Sequence, residues 1–546
     1  MKPIVYYVDN GAPEAVRNAL VEGASWWNQA FEAAGFTHAF QVKVLPPDAD
    51  PMDVRYNMIS WVHRSTRGWS YGGSIIDPRT GEIIKGNVTL GSLRDRQDFT
   101  IASGLIPQYA EGGPETCLAE LSPDPEYLAA LDPSSDAAAM ALARIRQLAA
   151  HETGHTLGFA HNFAASSYGL GKSVMDYPAP WVDIKDGKLD LSHAYAAGIG
   201  DFDTYAVKYA YSQFAPGTNE AQALEQIIEQ AVNAGMLYIT DRDARPPNAA
   251  HPLASLWDDP GADPVALLKH EMEVRRIGLS QFGLHSIPIG APLSELELKL
   301  LPLYLHHRYQ LLAAVKSLGG VYFTYAVRTA AGPNPAKVAD PVAPAAQRAA
   351  LDAVLATIAI DELRIPERIL ALLPPTAFGY GGGTAEPFDR RTDPAFDPIG
   401  AATIDADVAL SALLQPERAA RLVQQHGQNA ASPGFGDVVN TIVERTWGAP
   451  RPADGYRQTI AEAVQNLTVT RLMDLASNAD ASPQVRAYAA AGLRRIKTIA
   501  APLATPHALE ARDTITRFLN RPADVFKKTD PLATPPGEPI GAKGGR

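Results

Sequence analysis

The chain has almost no cysteine: Cys117 is the single thiol among 546 residues. That excludes an internal disulfide, a cysteine-built zinc finger and a CxxC redox pair, so any metal must be held by histidines and carboxylates. There is no apolar run of the roughly 18 residues that would read as a membrane span. Basic residues are not in excess either. Against 60 Asp and Glu stand 48 Lys and Arg, and the net charge of −12 argues against a nucleic-acid partner. Glycine and proline (43 and 44 residues) stay well below low-complexity levels, while 46% hydrophobic residues suffice for buried cores. The first nine residues are not a signal peptide, because their apolar stretch is short, β-rich and followed directly by a helix start. A core strand so near the first residue leads us to expect an export signal or pro-segment upstream.

What is present divides along the chain. Residues 1–214 alternate strand and helix. Apolar or alternating runs predict strands at 4–8, 39–45, 57–63, 74–77 and 82–90, the last two flanking the turn Pro78-Arg79-Thr80-Gly81. A helix opens after Asn10-Gly11-Ala12 with Pro13 in its first turn and stops at Gly35. Residues 93–133 read as a long connection. Ser135 or Asp136 then caps an Ala-rich helix that runs into His151. The expected fold is an α/β layer, a twisted mixed sheet with one long helix beneath it. Beyond residue 214 the spacing turns helical. We expect a helical extension at 215–329, a Pro- and Ala-rich linker at 330–344, a helical C-terminal domain at 345–528 and a disordered tail at 529–546.

One segment carries the chemistry: His151-Glu152-Thr153-Gly154-His155-Thr156-Leu157-Gly158-Phe159-Ala160-His161. A helix turns about 100° per residue, so His151 and His155 lie about 40° apart and their imidazoles can converge on one cation. Glu152 sits beside them, near enough to serve a water on the metal without being a ligand. Continued helix would carry His161 about 240° from His155. It joins the same ion only if the helix stops first, and Gly158 is where a left-handed residue could end it. Three histidines with a free fourth position form a catalytic rather than a structural zinc arrangement. Given HExxH, this composition yields the further Gly and His by chance with a probability of about 0.002.

Together with Ser173-Val174-Met175-Asp176-Tyr177-Pro178, this motif resembles the metzincin clan of zinc peptidases. The resemblance implies one catalytic Zn²⁺ on His151, His155 and His161, with Glu152 as general base. It implies Met175 in the methionine turn beneath the metal, and Tyr177 as an aid to the oxyanion. Gly72-Gly73-Ser74-Ile75-Ile76-Asp77 is similar to the clan's edge strand, which makes Gly73, Ser74, Ile75 and Ile76 the substrate-pairing residues. The sequence 201–207 resembles the clan's last helix. The residue after the third histidine is Asn162, and His161-Asn162-Phe163 with the Met-Asp-Tyr-Pro turn is most like the EcxA-like bacterial metzincins. Segments 236–241 and 304–309 resemble that group's helical extension. The implied function is a zinc endopeptidase acting on peptides or proteins outside the cytoplasm, in a bacterial periplasm or beyond. Two other readings stand beside it: a catalytically silent scaffold whose cleft is closed by the helical half, and a hydrolase of a non-peptide amide. His306 and His307 read as helix packing or surface, His270-Glu271 as a broken motif, 379–383 as a flexible turn and Cys117 as an inert thiol.

Overall fold

The computed structural model describes residues 2–64, 69–109, 135–169, 171–256, 263–329, 332–335, 337–377, 387–520 and 529–532. Cys117, the turn at 379–383 and the tail from 533 onward lie outside the described residues. The N-terminal sheet has five strands: β1 (Ile4–Val8), β2 (Phe40–Val44), β3 (Asn57–Val62), β4 (Tyr71–Ile76) and β5 (Ile83–Gly91), in the order β2-β1-β3-β5-β4. The first four in that order pair in parallel, and β4 runs antiparallel to β5 at the edge. β-branched and aromatic residues dominate β1 and β3, as a sheet covered by helices requires. Among the described residues no strand pairs with the outer edge of β4, whose Ile75 and Ile76 are exposed.

Two helices, α1 (Glu14–Ser25) and α2 (Trp27–Ala33), follow β1. α1 buries Val16, Ala19, Leu20, Gly23 and Ala24, a single stripe at helical spacing. After β5 comes α3 (Ser92–Leu105), in the stretch expected to be a connection. Its amphipathic signal is absent because it buries Arg94, Asp95 and Asp98 along with apolar residues; Arg94 pairs with Asp98 one turn on. α4 (Asp136–Thr156) is the long helix under the sheet, and Ser135 is its cap, the Oγ accepting from the Ala138 amide at 3.1 Å. It is buried on nearly every side, against α1 and the sheet on one flank and α3 on the other, and its run of alanines permits that close approach.

The helical remainder follows the spacing closely, for example Glu220–Asn233, Pro264–Gln281, Pro416–Gln428, Gly455–Ser477 and Pro483–Ala500. Short strands replace both the linker expected at 330–344 and the helical end expected of the extension: Gly332–Asn334 pairs with Val327–Thr329 and Ala339–Pro341 with Val321–Phe323. Residues 529–532, expected to be part of the tail, are held in place: the Thr529 amide donates to Asp474 at 2.9 Å and the Leu532 amide to Asp407 at 2.7 Å. Apolar clusters cross the sequence segments. One joins α3 and α4 to residues 274–305 and 365–404, and another runs from Leu268 to Phe518. No described helix is long and apolar enough to cross a membrane.

The contact of α1 with α4 is set by a backbone approach. A Cβ at Gly23 would lie 1.9 Å from the Arg146 carbonyl oxygen. Gly23→Ala is therefore expected to cost about 2 kcal/mol in chemical denaturation, whereas an unchanged midpoint would show that the helices can part at no cost.

Candidate metal centre

His151 and His155 occupy the last two turns of α4, on one face. The helix ends as the sequence requires. Gly158 takes φ +95°, the Gly158 amide donates to the His155 carbonyl at 3.0 Å and the Phe159 amide to that of Gly154 at 3.1 Å. This is a Schellman stop with glycine at the left-handed position. Phe159 then stacks on Trp27 with centroids 5.2 Å apart, and the chain doubles back so that His161 faces the helix it has left.

The Nε2 atoms of His155 and His151 are 3.2 Å apart, and those of His155 and His161 3.0 Å. Each ring's other nitrogen meets an atom that can only accept. Nδ1 of His151 donates to the Val174 carbonyl at 2.7 Å, that of His155 to the Phe159 carbonyl at 2.9 Å and that of His161 to the Asp241 carboxylate at 2.9 Å. The protons are thus fixed on Nδ1, and three Nε2 lone pairs point at one another. Lone pairs this close repel unless a cation lies among them. Zinc bound tetrahedrally through imidazole would set its nitrogens about 3.3 Å apart, so the donor set fits that ion. Burial and the neighbouring rings hold His151 well below the usual imidazole range and His155 at about 4, which keeps both neutral at pH 7.

Glu152 follows His151 on the buried side of α4. Burial pushes its carboxyl up to about 8, opposed by the charge of Arg144 and by the Gly72 amide of β4. Gly72 is required there, since a Cβ would lie 2.0 Å from the Glu152 carbonyl oxygen. Next along β4, Ser74 Oγ donates to the Thr156 carbonyl at 2.7 Å, while at Gly73 an added Cβ would meet only open space. The edge strand and the histidine-bearing turns of α4 are therefore joined directly.

Met175 is 1% exposed and lies under Gly154, where an added Cβ would be 2.3 Å from its sulfur. Its turn is held from the far side: Asp203 accepts from Ser173 Oγ at 2.6 Å and from the Val174 amide at 2.8 Å, placing the carbonyl that binds His151. Tyr177 packs its ring 5.1 Å from that of His151 and 4.6 Å from that of His161, and Arg245 lies 5.1 Å over its other side. Burial pushes the phenol up.

Asp241 escaped the sequence reading. It lies 80 residues beyond His161, and no local spacing marks it. What brings it in is Asn162, fully buried, whose side chain donates to the Leu237 carbonyl at 3.0 Å and accepts from the Ile239 amide at 3.2 Å. The Phe163 amide adds a bond to the Ile239 carbonyl at 2.8 Å. His306 and His307 do not approach the centre; they are buried against Glu271 and Asp405 respectively.

Three imidazoles from a helix end and the loop beyond it, each locked in one tautomer beside a buried carboxylate, define a candidate site for a single metal ion; among the described residues it is the one cluster of its kind. Comparison with protein families agrees: a family model described as Met-zincin matches residues 134–453, more than half of the chain. The chain belongs to the Met-zincin family, and membership implies a zinc metallopeptidase. No curated protein and no solved structure matches it.

Removing the carboxylate that orients His161 should weaken the site without unfolding it. Asp241→Ala is expected to lower zinc affinity about 10- to 100-fold in a competition titration with a chelating dye. Native affinity in that variant would mean that His161 is not held from this side.

Proposed function

We propose that the chain is a zinc-dependent endopeptidase, nearest to the EcxA-like bacterial metzincins and working outside the cytoplasm. The observation that carries this reading is the convergence of three Nε2 lone pairs beside Glu152, directly under an edge strand. His151, His155 and His161 would hold the ion. Zinc, when bound, supplies Lewis acidity toward a water and a peptide carbonyl. With the ion in place, Glu152 would take a proton from the water as its oxygen bonds to the peptide carbonyl carbon, and would pass that proton to the amine that leaves when the C–N bond breaks. Burial raises the Glu152 carboxyl above the usual carboxylate range, and a dication held by the histidines would draw it back toward the anion that a base must be. Tyr177, packed against two of the rings, is assigned to the oxyanion, and Met175 to the methionine turn that floors the site. An extended substrate would add to β4 along Gly73, Ser74, Ile75 and Ile76 as one more strand.

The silent-scaffold alternative requires the helical half to seal the cleft. A cavity of about 1180 Å³ bordered by His161 and Tyr177 speaks against that, as does the only partial burial of His155.

Glu152→Gln is expected to keep zinc at one ion per chain while cleavage of an unfolded protein falls at least about 100-fold. His155→Ala should lose the metal, and a chelator should stop the native enzyme. Undiminished turnover by Glu152→Gln would remove the base from this mechanism.

A further inference from the structure

The cavity beside the histidines has no role in the scheme above. It starts at His161 and Tyr177 and runs between the extension and the C-terminal helices as far as Arg471 and Thr529. Six Lys and Arg residues line it against four carboxylates, those of Asp241, Asp407, Asp474 and Asp530. At the far end Asp407 and Asp474 are both engaged by Arg471, at 2.6 and 2.7 Å. Nearer the metal site the wall contains Lys316 and Arg418, 6% and 2% exposed, and Arg245 over Tyr177. Lys316 donates to the Ala254 carbonyl, and Arg418 to the carbonyls of Ala412, Pro247 and Ala249. Among the described residues neither is in an ion pair, and Arg418 Nε has no acceptor. Asp176, the buried carboxylate whose charge reaches Lys316, is already occupied by Ser166 and the Tyr177 amide. Asp241 is committed to His161.

Buried cations without an ion-pair partner are costly, and here both residues line one cavity. Burial and the charges of Arg245 and Arg418 bring the Lys316 ammonium down to about 7, as expected of like charges crowded together. A cavity of this size admits a peptide side chain together with part of its backbone.

We infer that this cavity is a specificity pocket for an acidic side chain of the substrate, whose carboxylate is received by Lys316 and Arg418 while the adjoining peptide lies at the histidines. The inference rests on the peptidase reading and names its substrate class. The incoming carboxylate supplies the counter-charge that the fold leaves out, and an amide of the same shape does not.

The test uses the full chain as the zinc-loaded Glu152→Gln variant, so that binding is read without turnover. Labelled octapeptides in which one Glu is walked along an uncharged sequence are compared with their Gln counterparts by fluorescence anisotropy. At one or two positions Glu should bind about 10-fold more tightly than Gln, as a charge-assisted contact implies. Adding Lys316→Met should bring that ratio below about 3, and Lys316→Arg should restore it. Equal binding of every Glu and Gln pair with Lys316 intact overturns the pocket, and so does a ratio unchanged in a folded Lys316→Met protein. If Lys316→Met does not fold, the first comparison still decides. Failure of the native enzyme to cut any of these peptides would count against the peptidase reading alone, because the binding ratios stand apart from it.

Discussion

Each imidazole at the centre is held by its outer nitrogen, and the three acceptors come from three different places. Val174 belongs to the turn beyond the site, Phe159 to the segment just past the helix and Asp241 to the helical extension. A helix alone could align His151 and His155, but it could not choose their tautomers or return His161 to them. The arrangement depends on the hydrogen bonds that pin Nδ1, because these alone leave all three lone pairs pointing inward. The metal centre is thus a property of the assembled chain rather than of an eleven-residue motif.

Those acceptors need supports of their own. Asp203 fixes the turn that presents Val174, and Asn162 ties the loop of His161 to residues 237–239 so that Asp241 arrives in place. Burial sets the electrostatics. It keeps two imidazoles neutral and raises the Glu152 carboxyl above the usual carboxylate range. The same burial, applied to Lys316 and Arg418 with no ion-pair partner among the described residues, leaves two cationic residues in the wall of the cavity that begins at His161.

Much of this was legible in the sequence. The strands of the sheet follow from short β-branched and aromatic runs, and the helix stop at Gly158 from the geometry His161 demands. The residues that failed to declare themselves did so for physical reasons. α3 hides because Arg94, Asp95 and Asp98 are buried in it, which erases the apolar stripe on which periodicity relies. Of the strands paired within 321–341, those at 332–334 and 339–341 lie in a stretch whose prolines and alanines read as a linker, and their partners at 321–323 and 327–329 at the end of the stretch that read as helical. Asp241 fell in a segment marked only by branch resemblance, and no sequence signal assigned it a role, since that role depends on a contact 80 residues away in the chain. Asn162 was visible only as a mark of branch resemblance. Its work, joining the site loop to the extension, appears once both strands of chain are side by side.

Zinc-edge X-ray absorption on the zinc-loaded chain probes the centre most directly. With Nδ1 of every ring tied down, the native spectrum should show three imidazoles around the ion, and His161→Ala should leave two. Two imidazoles in the native protein, unchanged when His161 is removed, would contradict the convergence on which the peptidase reading stands.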